Sequence, residues 1–563
     1  MVVGAGRLLP LGDTGLVVQF GGDEFSDAVN AAVRALGRAV ADRRLEAVVE
    51  VIPTLRSLLV VFDPLRTTAV EIGRALREVV DTAGSEDPPA GRLIELPVAY
   101  GEEFGPDLAA VAQEVGRAES QVIALHAGRE YRVYMLGFTP GFPYMGALPP
   151  SLQVTRLPSP RTRIPRGSVA IAGRMTCVYS VESPGGWRVI GRTPLPIFDP
   201  SRRDAFLLEA GDRVRFVPIS RDEYARRVPL PAPSSPPAPL RPAVVVEEGG
   251  LLTTVQDLGR VGYRRFGLPP AGAMDPLALK VTNLLIGNPP GAAALEFTFP
   301  GPRLRAARPL ALAIGGADLS PTINGRPARL WSCLRLDAGD LLAFDAPRSG
   351  RWAYLAFPGG ADVPETMGSR ATCLAATLGG YAGRRLERGD RLGCLRITPR
   401  SVLRLPEHHW PPVTGAAAVR IVLGPQQEYF TEDAVAALLG APFSVGPESN
   451  RVGYRLEGPR LSHRTPVELL SDGLLPGALQ VPSGGQPIVI MADGPTTGGY
   501  PKIGGIVLPD LRWIAQARRG ETIRFQAVVR DAAHVAALEE AAFLAAVRFE
   551  PVPVRDQFDI LTL

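Results

Sequence analysis

Three polar turns carry the residue types that could do chemistry. In MADGPTTGGYPKIG, residues 491–504, an apolar strand ends at Asp493 and the loop then presents Thr496, Thr497, the amides of Gly498 and Gly499, and Lys502. An acid there could serve as a base for water, and an ammonium with two free amides could face a developing oxyanion. In HAGREYRVYMLGFTPGFPYMG, residues 126–146, His126 stands at a helix end, and a Gly, Phe and Pro turn follows that would expose backbone amides and aromatic faces. In PRTRIPRGSVAIAG, residues 160–173, Arg161, Arg163 and Arg166 precede a Ser168 turn and could bind a carboxylate or phosphate bidentately. Each has a structural alternative: His126 can cap its helix, the arginines can be solvated, and Asp493 can close an Asx turn. Lys502 discriminates best. Only two of the 61 basic residues are lysine, at 280 and 502, so a retained lysine points to a need for a compact, tunable ammonium.

The elements that must position these turns are mostly strands. Gly (61) and Pro (56) together make up about a fifth of the 563 residues, which favours many turns and short strands over long helices. The first 80 or so residues alternate strand and helix patterns. LLPLGDTGLVVQF reads as extended, and Phe25, Val29, Val33, Leu36 and Val40 line one face of a helix from about Asp23 to Arg43. LEAVVEVIP and SLLVVF read as strands, and Thr67 or Thr68 as the cap of a second helix. Two short helical patterns then span about Asp107 to Gly128, followed by short strands separated by Pro and Gly that suggest a β-barrel or sandwich ending near Arg227. Residues 228–242, VPLPAPSSPPAPLRP, read as an extended linker and the main domain boundary. Beyond it lies more strand-and-turn sequence, with helical patterns near Thr431–Leu439 and Ala532–Val547.

The two halves share a repeat. Gly185-Gly186-Trp187-Arg188-Val189-Ile190-Gly191 aligns with Gly498-Gly499-Tyr500-Pro501-Lys502-Ile503-Gly504, and about 25 residues later each copy has a similar turn and strand, GDRVRF at Gly211 and GETIRF at Gly520. The related turns at Gly339 and Gly389 suggest further copies of a β-unit, with sites expected in the clefts between related barrels.

Composition excludes several classes. With 61 basic and 57 acidic residues the net charge is only +4, so there is no basic footprint for nucleic acid. No apolar run is long enough for a membrane span, and the N-terminus reads as a strand rather than a signal peptide. Cys177, Cys333, Cys373 and Cys394 form no CxxC pair, so neither a zinc site nor a disulfide framework is signalled, and a cytoplasmic location fits. A nucleotide P-loop, a dinucleotide fingerprint and a GxSxG elbow are all absent from the sequence.

From Leu11 to about Pro200 the chain resembles the KipI-like family, also called allophanate hydrolase subunit 1 or the B subunit of 5-oxoprolinase. The matching stretches are LGDTGLVVQFG, VYMLGFTPGFPYMG, PRTRIPRGSVAIAG and ESPGGWRVIGRTPLPIFDP. From Gly250 to about Ala532 it resembles the KipA-like family, allophanate hydrolase subunit 2 or the C subunit of 5-oxoprolinase, through TTVQDLGRVGY, GLPPAGAMD, NLLIGNPPGAAALE, FPGGADVPETMGSRAT, SNRVGYRLEGP and DGPTTGGYPKIG. The chain departs from the family pattern at Met175, Cys177, Ser180 and Ala271, and at Gly494-Pro495, where some relatives have Arg-Gln.

The resemblance implies a mostly β, α+β protein, with a small α+β N-terminal domain followed by cyclophilin-like β-barrel domains. On this reading the small domain spans 1–88, a B-like barrel 89–227, the linker 228–242, a β-barrel half of the C-like module 243–412 and its second, cyclophilin-like half 413–550. It further implies a component of an ATP-dependent 5-oxoprolinase, opening the lactam of 5-oxoproline to L-glutamate with the enzyme's LamB/YcsF-type A subunit. ATP, with at most an accompanying Mg, is then bound in complex with that partner, and self-association stays open. Asp493, Lys502 and His126 are the catalytic candidates; Arg161, Ser168, Thr497, Gly498 and Gly499 are candidates for binding a small amide substrate. Two alternatives follow from the same relationship: a carboxyltransferase-like component acting on urea or a related amide with biotin, and a regulatory protein that inhibits a histidine kinase.

Overall fold

The computed structural model describes residues 6–22, 24–82, 91–228, 239, 241–415, 418–464 and 469–552; most of the proline-rich stretch 228–242 lies outside them. At the N-terminus four antiparallel strands pair in the order Arg7–Leu11, Gly15–Gln19, Ser57–Phe62, Val48–Pro53. Helix Asp27–Asp42 starts at Ser26, whose hydroxyl accepts from the Val29 N–H, and helix Ala69–Thr82 starts at a capping box between Thr68 and Glu71. Both helices pack on Leu16, Val18, Leu58 and Val60. The alternate residues Val17, Leu59 and Val61 point the other way, onto Leu474, Leu475, Ala478 and Ile490 of the C-terminal region. A strand buried on both faces accounts for the unbroken apolar run SLLVVF.

A closed seven-stranded barrel follows, and the C-terminal sheet repeats it strand for strand. In chain order the barrel strands are Leu93–Tyr100, Glu130–Leu136, Pro143–Gly146, Ser168–Ala172, Met175–Val178, Arg188–Arg192 and Arg213–Pro218. Their counterparts are Val419–Leu423, Phe443–Val445, Gly453–Glu457, Ala478–Gln480, Ile488–Ile490, Lys502–Ile506 and Phe525–Ala527, with the same neighbours, including one parallel pair between the first and last strands. In the second copy the closing strand is split. Thr522–Ile523 pairs with Phe443–Val445, while Phe525–Ala527 pairs with Val419–Leu423, so the ring closes through the chain itself. Each copy also has a two-stranded side ribbon: Arg161–Ile164 with Ser183–Gly185, and Asp472–Gly473 with Thr497–Gly498. The Gly-Gly repeat seen in the sequence therefore marks equivalent strands in two cyclophilin-like units.

Residues 243–412 differ from the barrel expected there. Their strands lie in two seven-stranded sheets, neither closed on itself, with helix Pro276–Leu285 packed against the second. The turns at Gly339 and Gly389 do not mark further barrels. At Gly211, Gly339, Gly389 and Gly520 the glycine has positive φ, and the following acid accepts a hydrogen bond from the backbone N–H three residues before it. This is a local turn device that suits any strand start. Among the described residues no helix is long and apolar enough to cross a membrane.

Candidate functional site

Three glycine- and proline-rich loops meet where the first barrel, the middle sheets and the second barrel touch. They are 137–142, 266–272 and 492–500. The Phe138 N–H donates to Thr497 Oγ1 at 3.0 Å, and the Gly141 N–H donates to the Phe266 carbonyl at 2.6 Å. Phe206 and Phe266 stack with ring centroids 4.4 Å apart, and the Ala271 N–H donates to the Ala492 carbonyl at 3.1 Å. Two glycines make this approach feasible: a Cβ at Gly137 would lie 2.1 Å from Thr497 Oγ1, and one at Gly267, where φ is +80°, would lie 2.4 Å from the Thr139 carbonyl.

Beside the junction lies a closed polar centre. Lys502 is fully buried and its Nζ donates to Asp472 Oδ2 at 2.7 Å. Gln426 bridges both ends of the pair, its Oε1 accepting from the Lys502 N–H at 3.1 Å and its Nε2 donating to Asp472 Oδ2 at 2.9 Å. The Ser57 hydroxyl, from the N-terminal sheet, donates to Asp472 Oδ1. Burial alone raises the Asp472 pKa, but the Lys502 ammonium and the hydrogen bonds from Lys502, Ser57 and Gln426 outweigh it and hold the carboxyl below its ordinary value.

A second buried network fixes the Asp493 turn. The Arg451 guanidinium grips Asp493 through two bonds of 2.8 and 2.9 Å, pairs with Glu296, and donates to the Gly272 carbonyl at 2.8 Å. Glu296 also accepts from the Met274 N–H at 2.7 Å and from the Tyr354 hydroxyl at 2.8 Å. Asp493 thus sits in a bidentate pair within the second barrel, which Arg451 extends to Glu296 and Gly272 of the middle region, and the structure places Asp493 and Lys502 at the two ends of one loop.

The other sequence candidates fall elsewhere. His126 lies inside the first barrel, stacked on Phe216, with Nδ1 2.9 Å from the Tyr100 hydroxyl and Nε2 2.9 Å from Thr176 Oγ1. Desolvation pushes its pKa down to about 3, so the ring is neutral and poorly basic, and none of its described contacts is with the junction. Arg161, Arg163 and Arg166 do not converge. They reach Asp107 (two bonds of 2.7 Å), Glu182 (2.8 Å) and the Phe198 carbonyl (3.2 Å) respectively. Ser168 is fully buried, and its hydroxyl has no partner among the described residues. Gly498 pairs with Asp472 in the side ribbon, and Gly499 follows it, half-buried. Sequence reasoning missed Ser57, Gln426 and Asp472 because no local motif marks them. Arg451 and Glu296 lay inside family-like stretches without a chemical signature of their own. Extending the Gly-Gly alignment to the paired side strand would have found Asp472.

Among the described residues no three His, Cys, Asp or Glu side chains group as metal ligands, so no set is assigned to Mg. A cavity of about 270 Å³ beside Arg44, Glu50 and Arg265 is a poorer candidate, because Glu50 is already engaged by the Gly262 N–H and Arg264.

This architecture is that of a carboxyltransferase domain. The family model for its subdomains C and D matches residues 6–208, and that for subdomains A and B matches residues 266–527. The chain belongs to this family, as a fusion of a module like the B subunit of 5-oxoprolinase with one like the C subunit of the same enzyme. It is 39% identical over 278 residues to the C subunit of 5-oxoprolinase from Escherichia coli K12, covering 49% of this chain and 88% of that one. It is 39% identical over 229 residues to the B subunit of 5-oxoprolinase from Bacillus subtilis, covering 38% of this chain and 93% of that one. The solved structure of TTHA0988 superposes with a TM-score of 0.80 at 34% identity, covering 91% of this chain and 99% of the other.

Proposed function

We propose that the chain is the fused B/C component of an ATP-dependent 5-oxoprolinase, opening the lactam of 5-oxoproline to L-glutamate together with a LamB/YcsF-type partner protein. The observation that carries this reading is the Asp472–Lys502–Gln426 centre of the C-like module, completed by Ser57 from the B-like module. Modules whose relatives are separate subunits here share one buried polar site. Lactam opening adds a water oxygen to the carbonyl carbon, breaks the C–N bond and leaves a proton on nitrogen. Such a reaction needs cations and N–H groups toward the oxygen and a base for the water. Lys502 and the 497–499 loop suit the first role, and Asp493 the second once substrate displaces part of its bond to Arg451. ATP, in this reading, meets the substrate at an interface with the partner.

The carboxyltransferase description of the family favours a second reading, transfer of a carboxylate from biotin to an amide. One experiment separates them. The purified chain mixed with a LamB/YcsF-type protein should hydrolyse ATP and form glutamate when 5-oxoproline is added, insensitive to avidin, and neither protein alone should do so. Full turnover by the chain alone, or none by the mixture, overturns the proposal; avidin-sensitive turnover of an amide supports the second reading.

A further inference from the structure

Arg260 is a buried cation that forms no direct salt bridge among the described residues. The residue is 1% exposed, and among the described residues its side chain makes one hydrogen bond, from Nη2 to the Ala371 carbonyl at 2.6 Å; Nε and Nη1 have no described partner. The neighbouring acids make their hydrogen bonds elsewhere. Asp257 accepts from the Gly259 N–H, the Ser369 hydroxyl and the Arg370 N–H, and Asp493 is held by Arg451. Of the other junction cations, Arg451 holds two carboxylates and Lys502 one. Asp257 and Asp493 act on its charge from nearby, but two of its three nitrogens donate to nothing described, and buried donors without acceptors are strongly unfavourable, so the site suits an anion that arrives from outside. The fork geometry agrees. Ala371 takes one of the two Nη2 protons, and whichever it takes, one complete two-nitrogen edge of the guanidinium stays free, which is the shape that matches a carboxylate.

The place is right as well. The Arg260 N–H donates to the Pro270 carbonyl at 2.9 Å, anchoring the residue to the 266–272 loop, and Asp493 is near enough to act on its charge. Three residues past Asp493, Thr496 is 1% exposed and its hydroxyl also lacks a described partner.

We propose that Arg260, with the Thr496 hydroxyl, is the anion-recognition group of the three-loop junction and takes the carboxylate of a small substrate. The class of ligand comes from the guanidinium; that the carboxylate is that of 5-oxoproline rests on the function proposed above.

The test is calorimetric binding to the full chain, with thermal unfolding recorded for every variant. The probes are 5-oxoproline, 2-pyrrolidinone (the same ring without a carboxylate), glutamate and acetate. A carboxylate-bearing probe should bind while 2-pyrrolidinone does not, about a hundredfold more weakly in Arg260→Met and measurably more weakly in Arg260→Lys and Thr496→Val. Should Arg260→Met fail to fold, the comparison of probes on the unaltered chain and the two milder variants still decide. Equal binding of 2-pyrrolidinone, no binding of any carboxylate, or unchanged affinity in a folded Arg260 variant overturns the proposal. Arg260-dependent binding of another carboxylate but not of 5-oxoproline keeps the site and removes the 5-oxoprolinase reading.

Discussion

The two barrels each place an ion pair at the side ribbon of the same backbone but draw its charges from different positions: loop and ribbon in the first, ribbon and strand in the second. In the first, the loop after the opening strand carries Asp107, which accepts from the Val189 N–H at 2.7 Å and grips Arg161 on the side ribbon. In the second, Gln426 occupies the loop position and accepts from the Lys502 N–H, while the side-ribbon position holds Asp472. The equivalence follows from register. Gly185 faces Arg161 as Gly498 faces Asp472, and the N–H groups of Asp107 and Gln426 reach the carbonyls of Val189 and Lys502. The environments differ too. The Arg161 side chain is 35% exposed, whereas the Asp472 and Lys502 side chains are 6% and 0% exposed beneath the N-terminal domain. One frame can thus hold an open, water-facing structural bridge or a sealed ammonium–carboxylate centre, and the choice lies in three side chains and in what covers them.

The largest effect should come from breaking the sealed pair. Lys502→Met leaves Asp472 buried and uncompensated, so chemical denaturation should show a loss of about 3–5 kcal/mol. In Asp472→Leu/Lys502→Met most of that stability should return, while 5-oxoproline-dependent ATPase with the partner stays lost. Recovery of both would make the centre architecture alone.

The turn between the first two strands, which meets the second barrel at Leu508, should make stability depend on pH through Asp13. Its Oδ1 accepts from the Leu508 N–H at 2.9 Å, Oδ2 has no described partner, and burial raises its pKa to about 7, with Asp510 adding to the rise and Arg420 opposing it. A carboxyl whose folded pKa lies above its unfolded value near 4 binds more protons in the native state, so its contribution to stability falls as pH rises from about 4 to about 7. Asp13→Asn should therefore be more stable than the parent at pH 8, by a few kcal/mol, and match it near pH 4. Thermal unfolding across that range checks the sign; parallel profiles for the two proteins would refute it.

Cutting the partly solvated bridge should matter less. Arg161→Met is expected to cost about 1 kcal/mol and leave turnover unchanged, since a partly solvated pair loses little. A loss as large as that of Lys502→Met would erase the distinction between the barrels. Smallest of all, proteolytic cleavage within 228–242 should leave the two pieces co-eluting on a sizing column, because Phe138–Thr497, Gly141–Phe266 and the Leu59–Leu474 face join them independently of the linker.

Much of the frame was legible in the residues. The amphipathic spacing from Val29 to Val40 specified the first helix, and Thr68 its successor's start. The repeat specified two equivalent barrels, and its last glycine shows why it recurs: a Cβ at Gly191 or Gly504 would come 2.8 or 3.0 Å from the carbonyl oxygen of Ala99 or Val422 on the equivalent opening strands. The Gly-Asp turn misled at Gly339 and Gly389, since it reports only how a strand begins and not which sheet receives it.

Lys502 stood out by rarity and Asp493 by position, yet their partners were decided by folding. Asp472 lies 30 residues from Lys502 in sequence, Ser57 lies 415 residues from Asp472, and Arg451 lies 42 residues from Asp493. Periodicity and turn chemistry act over a few residues, so the sequence by itself determined the strands, caps and repeat. Which acid meets which base, and whether water reaches them, depends on the packing of one sheet against another, and only the tertiary structure decided that His126 is a core histidine while Arg260 is buried with two side-chain nitrogens unbonded among the described residues.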